Sequence, residues 1–446
     1  MDKFIIEQSN EDIMPLGGLA LAGYLLEKTN LESRLNGIPI KGIRNSNKLK
    51  NFEVVISYLG LLLQGKNSFE NIEEFRGDIF FSSVLGIENV PSSSRLRQRL
   101  DLMPTVINNV IKEESVSLLK KANVNPSACI DDLIPLDIDV TPFDNSNSKK
   151  EGVSFTYKKF IGYAPIMAYL GQHEGYLINT ELRIGKQHCQ KNTPEFLKNS
   201  IKYAKKVTDD KICVRMDSGN DASENIEICL DEAVDFIIKR NLRGEDRRKW
   251  YKKALISVER GVATKETLRE GKYLIYGKKS IIPSKLDQKI TVPYKITVQS
   301  ITDEGQYIMI PEIEVETFWT SMDYDAKTIV NLYHSHATSE QFHSEIKTDM
   351  DLERLPSGKF KTNDLILHVG LLAYNILRII GQKTIGHQNV PIRKNVKRRR
   401  LKTVIKDMIL LAAKYVRHAR QKFIKIGRSN KWFGVIKSLY DEIIPC

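Results

Sequence analysis

Two acidic side chains stand where strands of this chain are predicted to end, which is where a catalytic site could assemble. Asp139 lies near the end of the strand-length run LIPLDIDVT, and Asp217 directly follows the apolar run Ile212–Met216. Polar and apolar residues alternate along the first run, so Asp137 and Asp139 lie on one face of the predicted strand. Open mixed sheets present reactive groups at strand ends, which makes Asp139 and Asp217 candidate catalytic residues.

A third carboxylate comes from a predicted helix in the segment YHSHATSEQFHSEIK. At 100° per residue, one arc of about 80° carries a phenol, two imidazoles, a carboxylate and an ammonium group. These belong to Tyr333, His336, Glu340, His343 and Lys347. A helix face of this composition does not belong in an apolar core, so Glu340 is the predicted third acid. Glu345 is predicted to point away from this face.

Three clustered carboxylates are a suitable ligand set for Mg²⁺, because this hard cation prefers oxygen ligands. Without a cation the carboxylates would repel one another and some would take up protons. Two ions ~3.5–4 Å apart can activate an attacking oxygen and stabilise a leaving oxygen in a displacement at phosphorus. The predicted metal ligands are Asp139, Asp217 and Glu340, with Asp137 as the alternative register of the first aspartate. Mn²⁺ is expected to substitute for Mg²⁺.

Each of these residues has a plainer interpretation when it is taken alone. Asp217 opens an Asp-Ser-Gly sequence that is typical of a turn or a helix cap, and Asp139 could be a surface charge at a strand end. The histidines at positions 334, 336 and 343 could suggest zinc, but an HxH pair on a helix points its two imidazoles apart and no cysteine lies nearby. The joint placement of the three acids favours the magnesium site.

The positive charge of the chain is concentrated near one end. The 446 residues have a net charge of +13, and their 41% apolar and 28% charged composition excludes a disordered or fibrous protein. Residues 393–431 hold 15 Lys and Arg and one acid, Asp407, which leaves the rest of the chain nearly neutral. This segment is predicted to bind a polyanion, with Arg398, Arg399 and Arg400 as candidate DNA-binding residues. The alternative is a merely solvated basic helix.

Other features of the sequence indicate a soluble, cytoplasmic protein without a membrane partner. Five cysteines with no CxxC pair are neither a disulfide framework nor a zinc ribbon. The N-terminal residues do not resemble a signal peptide. The apolar stretch Leu365–Ile380 is too short and too polar to cross a bilayer.

The order of predicted elements indicates an α/β chain. Residues 1–122 have helical periodicity, and after residue 133 the order β-β-β-α-β-α-β favours a mixed sheet with helices packed on it. Residues 242–322 are predicted to be β-rich, beginning with Trp250–Val258. The helical period returns at Tyr324, and Leu401–Lys425 is predicted to be a basic amphipathic helix.

These elements predict five regions along the chain. They are a helical N-terminal domain (1–125), a core in two parts (126–241 and 324–385), a β-rich insertion (242–323) and a basic helical C-terminal region (386–446). In the first, a short helix, a glycine-containing connection and a second helix allow a helix–turn–helix that binds DNA through Arg95, Arg97 and Arg99. The alternative for these arginines is a solvated basic helix.

Several stretches of the chain resemble one protein family. They are GIENVPSSSRLRQRLD, LDIDVTPFD, ELRIGKQH, VRMDSGNDASEN, ETFWTS, YHSHATSEQFHSEIK and FKTNDLILHVGLLAYNILR. Over residues 70–380 the chain resembles the DDE transposases of bacterial insertion sequences. The resemblance implies an RNase H-like (retroviral-integrase-type) mixed sheet interrupted by a β-rich insertion. It assigns the three metal-binding acids to Asp139 (or Asp137), Asp217 and Glu340.

The resemblance also implies DNA contacts. Many members carry Tyr-x2-Arg-x3-Glu-x6-Lys, which falls here on Tyr333, His336, Glu340 and Lys347, with His336 replacing the arginine. In the family these Tyr, Arg and Lys residues contact phosphates near the cleaved end. A neutral histidine lacks the bidentate fork of arginine and would hold a phosphate less firmly. In the insertion, Trp250 and Trp319 are candidates to stack on a flipped base, against the alternative of core packing.

The implied activity is metal-dependent cleavage at the ends of an insertion sequence, followed by transfer of the freed 3′-hydroxyl into target DNA. The implied cofactor is Mg²⁺, and the implied partners are double-stranded DNA with terminal inverted repeats and target DNA. A dimer is expected when two ends are held together, in a protein associated with the bacterial nucleoid. The alternatives are an RNase H-like nuclease without strand transfer and an inactive, DNA-binding relic.

Overall fold

The computed structural model describes residues 4–8, 10–43, 49–391 and 396–443. The α-helices of these residues are α1 (Leu19–Glu27), α2 (Leu31–Asn36), α3 (Asn51–Leu62), α4 (Ile79–Leu85), α5 (Ser93–Leu102), α6 (Val106–Lys121), α7 (Thr193–Val207), α8 (Ser223–Asp231), α9 (Arg247–Glu259), α10 (Ala326–His334), α11 (Thr338–Ser344), α12 (Phe360–Lys383), α13 (Leu401–Val404) and α14 (Phe433–Ile443). Their β-strands are β1 (Ile13–Met14), β2 (Leu133–Val140), β3 (Phe143–Asp144), β4 (Ser154–Phe155), β5 (Ile161–Tyr163), β6 (Ile166–Leu170), β7 (Tyr176–Glu181), β8 (Lys211–Met216), β9 (Asp235–Arg240), β10 (Ala263–Arg269), β11 (Lys272–Ile281), β12 (Ile290–Ile301), β13 (Tyr307–Thr320), β14 (Ala413–His418) and β15 (Gln421–Ile426).

The chain divides into two compact units. The first unit comprises residues 1–124, 147–151 and 344–446, and the second comprises residues 125–146 and 152–343. Asp139, Asp217 and Glu340 all belong to the second unit. The five predicted regions divide the chain more finely, and their boundaries stay a prediction.

A nine-stranded mixed sheet organises the second unit, in the order β10-β11-β12-β13-β9-β8-β2-β6-β7. β2, β8 and β9 are parallel, while β6 and β7 continue the sheet as antiparallel strands on the other side of β2. Nearly every residue of β2 is buried, as expected of a strand that is covered on both faces. The predicted mixed α/β class is confirmed.

The strands of the β-rich region 242–322 extend this same sheet. β13 pairs antiparallel with β9, from Thr317 opposite Arg240 to Thr320 opposite Ile237. β10 to β13 therefore continue the order of the sheet beyond its parallel part.

One predicted β segment in this region is wrong. Trp250–Val258 lies within α9, which begins after Asp246, whose carboxylate accepts a hydrogen bond from the Arg248 amide. Trp250 and Ala254, four residues apart, are the buried side chains of this helix. Aromatic and β-branched residues favour strands only on average, and here the cap and the spacing of the buried residues favour a helix.

Helices α10 and α11, which carry most of the residues of the predicted catalytic face, pack on the sheet. The Asp325 carboxylate caps α10, and Ile329 packs in one hydrophobic core with Phe318 and Cys213. A 3₁₀ turn at residues 335–337 joins α10 to α11. Phe342 of α11 then packs against Tyr169 of β6, with ring centres 5.2 Å apart.

Helix α12 forms the core of the first unit, with α6, α3, α1 and α5 packed against it. Its 24 residues are long and apolar enough to cross a membrane by length and composition, so the prediction that Leu365–Ile380 is too short and too polar for this is wrong. However, 94% of its most apolar window is buried inside the protein, as in the core helices of soluble proteins.

The predicted basic helix Leu401–Lys425 is wrong beyond Ile409. A π-helical turn at residues 405–409 follows α13, and the chain then forms the antiparallel hairpin β14–β15, which pairs with β1. Ala419 and Arg420 at its turn have φ values of 48° and 66°, as a type I′ turn requires. The apolar residues of this segment also fit a strand, because aromatic and β-branched side chains favour one. Residues 393–395 of the predicted basic segment lie outside the described residues.

Candidate active site

Asp139 and Asp217 lie side by side where two neighbouring strands end. Strands β2 and β8 are parallel, with Ile138 paired to Met216, so each aspartate follows one member of that pair. Two residues earlier, the paired residues Asp137 and Arg215 form an ion pair and therefore share a face of the sheet. Because side chains alternate between the faces, Asp139 lies on the face that carries Asp137.

The turn after β8 holds Asp217 in place. Its Oδ1 accepts hydrogen bonds from the Gly219 amide (3.1 Å) and from Asn220 Nδ2 (2.9 Å), so Asp217 caps the 3₁₀ turn that follows. Burial and the negative charge of Asp139 raise the pKa of Asp217 above its ordinary value. A bound cation would relieve this repulsion between the two acids.

Asp139 is in contact with an imidazole of α11. Its Oδ1 accepts a hydrogen bond from the Val140 amide (2.7 Å), and its Oδ2 lies 3.3 Å from His343 Nε2. Burial acts to raise the pKa of Asp139, but the contact with His343 and the charges of His343 and His336 outweigh it, so the pKa is lowered. The other ring nitrogen of His343 is hydrogen-bonded to the Tyr169 hydroxyl (3.1 Å). His343 is therefore held between β6 and Asp139.

The neighbouring acid, Asp137, is bound in a buried ion pair. Arg215 donates to both of its oxygens, with distances of 2.5 and 2.7 Å, and His336 Nδ1 lies 2.9 Å from Oδ1. Burial acts to raise the pKa of Asp137, but Arg215 and His336 outweigh it and lower the pKa to about 2. Because both oxygens are already bound to Arg215, Asp139 is the better candidate metal ligand of the two.

His336 is buried beside Asp137, which does not support the phosphate contact expected of it. Its exposed fraction is 8%. Burial acts to lower the pKa of His336, but the carboxylate of Asp137 outweighs it and the pKa is raised. This imidazole thus faces Asp137 within the protein.

Glu340 is exposed on α11, whereas Phe342 and His343 on the same helix are buried. Within the described part of the chain, no group of three or more His, Cys, Asp or Glu is placed to hold a metal ion. The structure thus brings Asp139 and Asp217 together but does not bring Glu340 into a group with them.

The two aspartates nevertheless fit a hard divalent cation. Both are carboxylates, one has a raised pKa caused in part by the other, and both are only partly buried. Beside them, the buried His343 Nε2 completes no hydrogen bond of good geometry with the described residues. The pair is therefore a partial ligand set whose third member is not assembled.

Two tyrosines lie near the aspartates. Burial and the charges of Asp217 and Asp139 raise the pKa of Tyr333, one of the predicted phosphate contacts. Burial and the same two charges also raise the pKa of Tyr157, whose hydroxyl donates to the Val140 carbonyl (3.0 Å). Sequence reasoning missed Tyr157 because it lies outside the regular strands, and no local pattern links it to Asp139.

The arginines predicted for a helix–turn–helix differ in their surroundings. Arg95 and Arg97 are exposed on α5, and Arg97 pairs with Glu70 (2.8 Å). Arg99 is only 2% exposed and donates to the Leu49 carbonyl and to Asn51. The structure therefore does not support the DNA contact expected of Arg99, since its guanidinium is used within the core of the first unit.

Trp319 is packed rather than open, with 5% of its surface exposed. Its Nε1 donates to Asp221 (2.7 Å), and the Arg240 guanidinium lies 5.3 Å from the ring centre. It borders a cavity of about 520 Å³ together with Arg243 and Lys285. Trp250 is also buried and donates to Glu245. These contacts favour core packing, and base stacking by Trp319 stays a prediction.

The three arginines of the predicted basic segment bind groups within the first unit. Arg398 pairs with Glu345 (3.1 Å), Arg400 pairs with Asp349 (2.9 Å), and Arg399 donates to Thr384 (2.5 Å). The carboxylates neutralise Arg398 and Arg400, whereas Arg399 contacts a neutral hydroxyl, and DNA contacts by these three residues stay a prediction. Lys347 is half-buried in the π-helical turn at residues 345–349, and its DNA contact stays a prediction.

Comparisons with known proteins give one family. The family model described as "Transposase DDE domain group 1" matches residues 6–445. No curated protein matches the chain. Among solved structures, the chain is similar to a piggyBac transposase in a synaptic complex with hairpin DNA, studied by cryo-EM. The identity is 11%, the TM-score is 0.38, and the match covers 82% of this chain and 75% of the other. A likeness of this degree carries no argument about function.

Proposed function

The chain belongs to the family of transposase DDE domains of group 1, and on that premise we propose that it cleaves DNA at the ends of its own element and joins the freed 3′-hydroxyl to target DNA. The proposed element is an insertion sequence, and the proposed cofactor is Mg²⁺, with Mn²⁺ as a substitute. The mixed order of β7-β6-β2-β8-β9 supports an RNase H-like core. Two protomers are proposed to hold the two ends.

The observation that carries this proposal is the adjacency of Asp139 and Asp217 after the paired residues Ile138 and Met216. Two half-buried carboxylates in this position repel one another, and burial together with the charge of Asp139 raises the pKa of Asp217. A divalent cation would relieve this repulsion, in addition to the hydrogen bonds to Asp217 and the His343 contact of Asp139 that already hold the two carboxylates.

We assign Asp139 and Asp217 as two of the metal ligands and Glu340 as the third. A metal held by these carboxylates would supply activation of the attacking oxygen and stabilisation of the leaving oxygen at phosphorus. The remaining residues position this set: His343, held by Tyr169, fixes the orientation of the Asp139 carboxylate. Arg215 neutralises Asp137, which lowers the negative charge beneath the site.

The third ligand requires a movement of α11, which we propose accompanies binding of the DNA end. The helix lies between a 3₁₀ turn at residues 335–337 and a π-helical turn at residues 345–349. Both are departures from α-helical hydrogen bonding that commonly mark hinges and functional sites. A shift of α11 between these two turns would bring Glu340 to the two aspartates without unfolding the helix.

The test is cleavage of a labelled duplex that carries the inverted repeat bracketing the gene, in Mg²⁺ and in Mn²⁺. Asp139→Asn, Asp217→Asn and Glu340→Gln are each expected to lower cleavage by at least about 10³-fold, since each weakens binding of the cation that would stabilise the negative charge of the transition state. The same variants should still bind the duplex. Asp132→Asn, an exposed acid just before β2, is the matched control and should cleave normally.

The products of this experiment separate the alternatives. Cut DNA without joined DNA would assign a nuclease that lacks strand transfer. Binding without cleavage by the wild-type chain would assign an inactive, DNA-binding relic. Cleavage that persists in one of the three variants would remove that residue from the ligand set.

A further inference from the structure

A basic two-stranded ribbon, β14–β15, lies on the first unit. Between residues 411 and 431 the sequence has seven Lys and Arg and no Asp or Glu. β1 pairs with one side of β14, and β15 is the opposite edge of this small sheet. The side chains from Arg417 to Phe423, which include the whole turn, are exposed. The ribbon is therefore a concentrated positive charge on an accessible element.

The pairing of the ribbon places like charges opposite one another. Lys414 is paired with Lys425, and Arg417 is paired with Lys422. Like charges in direct opposition destabilise a pair of strands, so this pattern favours binding of an external anion. Glu11 lies 2.8 Å from Lys414 and compensates the first of these pairs.

The second pair, Arg417 and Lys422, contacts neutral oxygens. Arg417 Nε donates to the Tyr415 hydroxyl (3.0 Å), and Lys422 Nζ donates to the Ser83 hydroxyl (2.8 Å). Burial acts to raise the pKa of Tyr415, but hydrogen bonds and the charges of Arg417 and Lys422 outweigh it and lower the pKa. These contacts orient two cations without neutralising them.

The same two cations form one wall of an open groove of about 480 Å³. The opposite wall is α4 with the turn that follows it, up to Val90. Asp78 and Glu88 also line this groove, but the Asp78 carboxylate accepts a hydrogen bond from the Phe81 amide and caps α4. The groove thus has two cations on the ribbon side and two carboxylates, those of Asp78 and Glu88, on the other.

We propose that the β14–β15 ribbon binds duplex DNA by lying in the major groove, with Arg417, Arg420 and Lys422 on backbone phosphates. This inference rests on the proposed function, because that function supplies DNA as the polyanion. The major groove of B-DNA admits a two-stranded β-ribbon, and cations along such a ribbon can reach phosphates on its rims. A ribbon of this charge has few apolar side chains to insert into a membrane, of which Phe423 is 39% exposed.

The experiment measures binding of a fluorescent 30-base-pair DNA duplex by anisotropy over a range of NaCl concentrations. The test variant is Arg417→Gln/Arg420→Gln/Lys422→Gln. The control is Lys198→Gln/Lys202→Gln/Lys206→Gln, which removes the same charge from exposed positions of α7 in the second unit. Thermal unfolding of each variant verifies that it folds.

The ribbon variant is expected to lower affinity at least 10-fold at 0.1 M salt. It should also make the slope of log K against log[salt] shallower by about 2 to 3, since each phosphate contact contributes about −0.9. The affinity of the control variant should stay within about 2-fold of wild type, because the same count of phosphate contacts predicts no lost contact for it. A duplex RNA of equal length should bind more weakly, because its major groove is too deep and narrow for the ribbon.

An unchanged slope in the ribbon variant would overturn the proposal, and equally tight, ribbon-dependent binding of duplex RNA would overturn the placement in the major groove. The result separates this inference from the proposed function. If wild-type protein binds DNA through the ribbon but does not cut its element end in Mn²⁺, the ribbon assignment holds and the proposed function fails. If it cuts normally and the ribbon variant binds like wild type, the proposed function holds and the ribbon assignment fails.

Discussion

Two aspartates on one strand, two residues apart, have opposite surroundings. Asp137 faces a buried arginine that binds both of its oxygens, whereas Asp139 is partly exposed beside a second acid. The sequence pattern places both aspartates on the same face of β2. It cannot show which of them is free to bind a metal, because that difference is caused by Arg215 on the neighbouring strand. Partner residues, rather than spacing, therefore decide which acid is available to a metal.

At the residue scale, His343 is expected to be a positioning residue for Asp139. His343→Leu removes the imidazole that contacts Oδ2, and loss of such an orienting partner typically costs 10–100-fold in metal affinity or activity. We expect this substitution to lower the affinity for Mn²⁺ by about 10–100-fold, as measured by electron paramagnetic resonance. His334→Leu is the control, since His334 on the preceding helix is exposed and lies near Glu316. Equal Mn²⁺ affinity in the two variants would contradict this role.

A lysine in the β-rich part of the second unit gives a prediction about pH. Lys279 Nζ lies 3.3 Å from the ring centre of Trp250. Burial, helped by the charges of Arg240 and Lys253, outweighs Glu245 and lowers the pKa of Lys279 from 10.5 to about 8. Between pH 8 and 10.5 the unfolded chain therefore binds a proton that the folded chain has released, so stability from this group rises with pH.

Lys279→Met removes this titration but keeps an apolar chain over the indole. The variant should have a higher Tm than wild type at pH 7, and the difference should shrink by pH 10. Circular dichroism melts at the two pH values measure it, with the exposed neighbour Lys278→Met as the control. A Tm difference that is the same at both pH values would contradict the lowered pKa.

At the element scale, the position of α11 depends on a close approach at Gly175. This residue has φ +59°, and a Cβ there would lie 2.3 Å from the ring of Phe342. Phe342 neighbours His343 and is two residues from Glu340, so a side chain at 175 should displace the helix that carries both. The absence of a side chain at residue 175 is therefore required for α11 to lie where it does.

Gly175→Ala is expected to lower cleavage at least about 10-fold, since small misplacements of catalytic groups have effects up to about 10²-fold. The matched control is Gly261→Ala, which has φ +72° and open space around the added carbon. The control should carry only the left-handed backbone cost of about 1–2 kcal/mol and cleave normally. Normal cleavage by Gly175→Ala, with the expected loss of stability, would show that the approach to Phe342 does not position α11.

The hairpin β14–β15 illustrates the limit of pattern reasoning about elements. The apolar residues Ile405, Ile409 and Val416 recur at helical spacing, yet the helix ends at Ile409. Two features determine the strands, and local periodicity shows neither of them. One is pairing with β1, from the other end of the chain, and the other is the type I′ turn at Ala419 and Arg420. The segment therefore carries the predicted positive charge, but on a β-hairpin instead of a helix.

At the scale of the whole molecule, the C-terminal region belongs to the core of the first unit. It contributes buried side chains that include Leu401, Met408 and Leu439, and β14 pairs with β1. Each large apolar side chain stabilises by about 1.5–3 kcal/mol, so several together are comparable with the 5–15 kcal/mol stability of a typical protein. The region is structural as well as basic.

Truncation after Val390 is therefore expected to unfold the first unit rather than merely to weaken DNA binding. Limited proteolysis should degrade residues 10–120 rapidly in the truncated chain, whereas size-exclusion chromatography should report aggregation. The full-length ribbon variant is the control. It loses three positive charges but keeps the buried side chains, so it should resist the protease. A soluble truncated chain with the wild-type thermal transition would contradict this account.

The sequence predicted the parts of the molecule that depend on local pattern. β2 and β8 lie close to their predicted positions because their apolar patterns are local. The surroundings of Arg99 and Arg400 could not be predicted, since their partners Leu49 and Asp349 lie about fifty residues away in the chain. For the same reason the sequence could propose three acids, but could not establish that Asp139 and Asp217 meet without Glu340.

The central claim is that Asp139, Asp217 and Glu340 bind the catalytic metal together once a DNA end is in place. The most direct measurement is a structure of the chain with Mn²⁺ and its cut DNA end, in which anomalous scattering locates the ions. We predict Mn²⁺ within bonding distance of all three carboxylates, with α11 shifted so that Glu340 faces the two aspartates. Mn²⁺ bound by other residues, or by the two aspartates with Glu340 still exposed to solvent, would contradict the claim.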